Sequence, residues 1–94
     1  MKINIADVVI SLNGRDEGKR FLVIGTEDEY SMLVDGKSRK TEKPKRKKNK
    51  HLRFDGKADS QIAAKLSGGG KVTNNEIRRE LAQYAARHDD GGMS

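Results

Sequence analysis

Apolar and polar positions alternate along the first half of the chain and change period near residue 58. In "DVVISLNGRDEGKRFLVIG", Val8, Ile10 and Leu12 fall on one side of an extended backbone, and Val9 and Ser11 on the other. Phe21 and Val23 stand against Leu22 and Ile24 in the same way, so the stretch predicts two strands. Between them, residues 13–19 supply Asn, Asp and two glycines, residue types that tolerate tight or left-handed backbone. A third strand is predicted over Tyr30 to Val34, after the acidic turn Glu27–Asp28–Glu29. Asp35–Gly36 follows as a two-residue hairpin signal. A fourth strand is expected within Lys37 to Thr41, ending where Pro44 interrupts the ladder. "HLRF", His51 to Phe54, reads as a fifth. Short strands separated by turn signals about every eight to twelve residues predict a small barrel.

Beyond residue 58 the spacing becomes helical. Asp59 or Ser60 can cap a short helix carrying Ile62 and Leu66 four residues apart, and Gly68, Gly69 and Gly70 end it. Thr73 and Glu76 have the spacing of a capping box. The helix they open extends to about Arg87, with Ile77, Leu81, Tyr84 and Ala85 on one stripe, expected to dock on the barrel. The fold class is therefore mainly β: residues 1–57 a small barrel, residues 58–88 an appendage of two short α-helices, and residues 89–94 a disordered tail.

Charge changes this picture most. The chain has 94 residues, 36% of them charged and 33% hydrophobic, with a net charge of +6. Residues 37–57 hold eleven Lys or Arg against Glu42 and Asp55, a local +9 that leaves the rest of the chain at −3. At its centre, "KPKRKKNKH" packs six Lys or Arg and His51 into nine positions. Such a concentration repels itself unless a polyanion relieves it. Flanked by strands and followed by helices, it is not a terminal tail. Few aromatics accompany it, with only His51 and Phe54 nearby, which favours contact with phosphates over stacking on bases. An anionic membrane is the weaker partner, because no apolar face accompanies the lysines.

Residues 6–25, "ADVVISLNGRDEGKRFLVIG", resemble a KOW motif: an apolar strand, a polar loop with a central glycine, and a second apolar strand. With "DGKSRKTEKPKRKKNKHLRF" and "VTNNEIRREL" the likeness extends to about residue 82. Over that length the chain is similar to the short bacterial KOW-domain RNA-binding proteins related to archaeal and eukaryotic-type large-subunit ribosomal proteins. The resemblance implies an SH3-like β-barrel, a ribosome-associated role, and RNA rather than DNA as the polyanion.

The candidate RNA-binding residues are Arg15, Lys19 and Arg20 around the first loop, then Lys37, Arg39, Lys40, Lys43, Lys45, Arg46, Lys47, Lys48, Lys50, His51 and Arg53. Gly14 and Gly18 would give the loop positive φ, and Asp16 would hold it by accepting from nearby backbone N–H groups. The fold itself is expected not to depend on the basic run. A protein-interaction adaptor is the alternative function, but binding another protein would not require +9 in twenty-one residues.

Other signals carry little. "SGGGKV" has Lys65 and Val72 where a phosphate loop needs Gly and Ser or Thr, so it reads as a helix connector. "HDD" reads as a helix terminus. Without cysteines there are no disulfides or thiolate sites. No nucleophile–base set is visible, so the expectation is a non-enzyme without cofactor, metal or small-molecule substrate, monomeric when free. The start lacks an apolar signal stretch and no apolar run approaches about 18 residues, so a cytoplasmic location is expected.

Overall fold

The computed structural model describes residues 2–89. Five strands form one antiparallel sheet: β1 (Asp7–Ser11), β2 (Arg20–Glu27), β3 (Tyr30–Val34), β4 (Lys45–Lys48) and β5 (Leu52–Lys57). They lie in the order β4-β3-β2-β1-β5. Helices α1 (Ser60–Ser67) and α2 (Asn74–His88) follow. No helix among the described residues is long and apolar enough to cross a membrane.

The alternation in β1 and β2 places apolar residues on both faces, and both are covered. Val8, Leu22 and Val34 join Ala58, Ile62, Val72, Ile77 and Tyr84 in a core between sheet and helices. Val9, Phe21, Val23, Leu33 and Leu52, with Ile3, form a second core on the opposite face. Leu12, beyond the end of β1, is left 46% exposed. The two edge strands, β4 and β5, are joined only by a 3-10 turn at Asn49–His51. In a flat five-stranded sheet the edges would stand about 19 Å apart. A turn of that length advances about 6 Å. The sheet therefore curls around the second core. β4 and β5 share no ladder, so it remains open.

The helices begin where the capping chemistry places them. Asp59 accepts from the Gln61 N–H at 2.9 Å, and Thr73 and Glu76 complete a reciprocal capping box. Ile77 and Tyr84 are fully buried, whereas Leu81 lies at the margin of the core. The α2 stripe is thus core, docked on the sheet. Asp89 caps α2 by donating its N–H to the Ala85 carbonyl, and residues 90–94, the remainder of the expected tail, lie outside the described residues.

The fourth strand is not where the turn signal put it. Residues 37–41 form no strand; β4 is the basic run itself, starting directly after Pro44. The Asp35 carboxylate accepts from the Lys37 and Arg39 N–H groups, each at 2.8 Å, and both Asp35 and Gly36 donate their N–H to the Arg39 carbonyl. This curls the chain into a loop instead of a two-residue hairpin. Once past Pro44, whose fixed φ suits an extended start, residues 45–48 pair with β3 in the register Leu33↔Lys45 to Tyr30↔Lys48. The backbone of this run is one edge of the sheet, so what the fold takes from it is the ladder with β3 and not the four charges. The fifth strand is also displaced, since His51 belongs to the 3-10 turn and β5 continues to Lys57.

Gly36 locks this loop to α2. Its φ is +79°, and a Cβ there would stand 2.6 Å from the Asn74 carbonyl oxygen and 2.9 Å from Arg78 Cγ. Gly36→Ala therefore combines overpacking against backbone with a left-handed penalty, a cost of about 2–3 kcal/mol. Urea denaturation of the variant measures it, and Ser38→Ala in the same loop should lose less.

Candidate nucleic-acid interface

The predicted loop spans residues 12–19 between β1 and β2. Gly14 and Gly18 have φ of +79° and +83°, as their positions require. The Gly18 N–H donates to the Ser11 carbonyl at 2.8 Å and the Lys19 N–H to the Asp16 carbonyl at 2.9 Å, closing a tight turn. The Asp16 side chain plays a different part from the one expected. It is buried and accepts from the Arg39 guanidinium at 3.0 Å, with the Lys19 ammonium 3.9 Å away. A carboxylate assigned to local backbone thus fastens two loops together, because a guanidinium supplies a stronger, charge-assisted donor than an amide.

Two further links converge on the same loop. Lys47 Nζ donates to the Asn13 carbonyl at 2.9 Å, and the Asn13 amide meets His51 Nδ1 at 3.0 Å. The Leu12 N–H donates to the His51 carbonyl. The loop, the 35–44 segment, β4 and the 3-10 turn therefore share one side of the molecule. Arg15, Lys37, Lys40, Lys43, Lys50 and Arg53 are exposed. Among the described residues none of these six, nor Lys45, Lys47 or Lys48, is in an ion pair.

The run does not act as one block. Residues paired across an antiparallel ladder share a face, so Lys45 and Lys47 lie with Leu33 and Ser31, on the side of the inner core. Arg46 and Lys48 lie with Met32 and Tyr30 on the other side. There the Arg46 guanidinium sits 3.6 Å over the Tyr30 ring and 3.2 Å from Glu27, while the Lys48 ammonium lies 5.9 Å from the same ring. The acidic turn, read from sequence as merely solvated, neutralises part of the run.

Arg20 borders this surface beside Lys19 and Lys37 but is held by other partners. Its guanidinium donates twice to Asp89, at 2.9 Å each, lies 3.3 Å from Asp55 and stacks 5.1 Å over the Tyr84 ring. The bond to Asp89 opposes the desolvation cost of burial and holds the guanidinium above its ordinary pKa. Burial first, then the neighbouring Asp55 carboxylate, pushes the Tyr84 hydroxyl up to about 12. The cluster ties β2 and β5 to the end of α2 and is structural.

Sequence reasoning missed Arg78. Its guanidinium donates to the Gly36 carbonyl and to Asn75 Oδ1, beside Lys19 and Lys37. The adjacent "RR" on a helix read as polar face was the available signal. Among the described residues no group of three or more His, Asp or Glu is placed to hold a metal ion. In sequence comparisons, no protein family matches this chain and no curated protein is significantly similar to it.

Proposed function

We propose that the chain is a non-catalytic RNA-binding protein of KOW type, built on a small SH3-like barrel, that holds ribosomal or other structured RNA on its basic side. The observation that carries the proposal is the convergence of cations from separate segments around the 12–19 loop. Arg39 is tied to Asp16, Lys47 to Asn13, and His51 to Asn13. Arg15 lies in this loop, and Lys37, Lys40, Lys43 and Lys45 in the segment fastened to it, none of them in an ion pair with a described residue. A surface on which cations outnumber the carboxylates Asp16, Asp35 and Glu42 is an electrostatic footprint for phosphates. The barrel reading is supported by the curl of the sheet, whose two edge strands are joined by a three-residue turn. The KOW reading is supported by the residues of the loop itself, the left-handed Gly14 and Gly18 between two buried apolar strands.

An adaptor would bury apolar surface on a partner, and among the described residues the large exposed apolar side chains are Ile5 and Leu12. Ultraviolet crosslinking in cells, followed by sequencing of attached RNA, tests the proposal. The expected result is enrichment of a structured RNA, reduced when Arg15 and Lys45 are changed to Gln. Recovery of partner proteins without RNA would favour the adaptor.

A further inference from the structure

Two depressions lie side by side on the basic surface. One, of about 570 Å³, lies between α2 and the loops; Lys19, Arg20, Lys37 and Arg78 line it, with Asp35, Leu81 and Ala82. The other, of about 710 Å³, is lined by Lys37, Lys40, Lys43 and Lys45 with Arg39 and Arg46, against a single carboxylate, Glu42. Lys37 and Ser38 line both, so the 37–38 turn is a ridge between them.

The ridge is braced. The Asp35 carboxylate accepts from the Lys37 and Arg39 N–H groups and from the Ser38 hydroxyl at 2.9 Å, bonds that outweigh desolvation and keep its pKa below the ordinary value. Underneath, Arg78 holds the Gly36 carbonyl. Backbone fixed this way presents its cations at set positions.

A second observation concerns the rings. Phe21 and Tyr84 are fully buried, and Phe54 packs against the inner core. Arg46 covers one face of Tyr30 and His88 stacks on Tyr84 with ring centroids 4.0 Å apart, while Asn13 meets the His51 ring only at its edge. Proteins that hold single strands offer aromatic faces on which unpaired bases stack. Here no Phe or Tyr among the described residues is exposed, which leaves only the two imidazoles as open faces. Base-paired RNA keeps its bases stacked on each other and presents phosphates and 2′-hydroxyls across a wide, shallow minor groove.

We infer that the partner is base-paired RNA, with the Lys37–Ser38 ridge seated over its shallow groove. Phosphates of one strand lie against Arg78 and Lys19 of the α2-side depression, and those of the other against Lys40, Lys43 and Lys45. The inference rests on the RNA-binding reading and adds to it the form of the RNA and a contribution from α2.

The test compares an RNA duplex of about 16 base pairs with either of its strands alone at one salt concentration. The duplex is expected to bind at least about 10-fold more tightly, since stacking cannot compensate the single strand for its lower charge density. Lys37→Glu, a change at an exposed side chain in no ion pair, should lower duplex affinity about 10-fold, and Arg78→Gln should reduce the log–log salt slope by about one. Arg78 also holds Gly36, so should Arg78→Gln unfold, Lys37→Glu carries the test. Equal or tighter binding of the single strand, or a duplex affinity untouched by Lys37→Glu, overturns this inference while leaving RNA binding in place. Binding of neither form would instead remove the RNA-binding reading itself.

Discussion

Raising salt from about 50 to about 200 mM should weaken binding to a structured RNA fragment by about 100- to 500-fold. About five cations neutralising phosphates give a log–log slope of roughly −3.5 to −4.5, at 0.7 to 0.9 per phosphate. The two faces of β4 should share that slope unequally. Lys47 donates to a carbonyl, which leaves its charge uncancelled, and Lys45 is in no ion pair with a described residue. Changing both to Gln should flatten the slope by about 1.5 units. Arg46 is already opposed by Glu27 and stacked on Tyr30, so Arg46→Gln with Lys48→Gln should flatten it by less than about one. Fluorescence anisotropy at four or more salt concentrations resolves the difference. A shallow slope in the unmodified protein would show that phosphates are not the ligand, and equal flattening by both pairs would show that the strand's two faces are not distinct.

The second large effect is on stability. Ile77 is fully buried between α2 and the sheet, packed with Val8, Leu22 and Val34. Ile77→Ala should cost about 2–5 kcal/mol, through lost transfer energy and the cavity left behind. Leu81, at the margin of the same core, should cost less when truncated. Denaturant titration of both variants gives the comparison. If Ile77→Ala were neutral, α2 would not be docked in solution, and the Arg78 wall of the α2-side depression would be lost with it.

Much of this architecture could be read from local pattern. β1, β2 and β3 announce themselves because apolar alternation and glycine-bearing turns coincide. Both helices do so because Asp59, Thr73 and Glu76 carry capping chemistry within three residues of where it acts. β4 could not be read that way. Four consecutive cations have low strand preference, and the strand exists because β3 offers an open edge, a partner supplied by tertiary structure. The site divides along the same line. The 12–19 loop and the basic run are each visible as segments, but their junction depends on Arg39 finding Asp16 across 23 positions and Asn13 finding His51 across 38. The ion pairs of Arg20 are hidden for a related reason: its neighbours in sequence belong to the loop, while its partners, Asp55 and Asp89, arrive from β5 and the end of α2.

The placement of "KRKK" on an outer strand has a consequence for how the protein survives at high concentration. An outermost strand carries unpaired N–H and C=O groups that can recruit a strand from another molecule, the first step of fibrillar aggregation. Two copies of β4 approaching edge to edge would each bring four positive charges, and lysine-rich edges resist such pairing. Before any nucleic acid arrives, the charge that would gather phosphates thus acts as a gatekeeper against self-association.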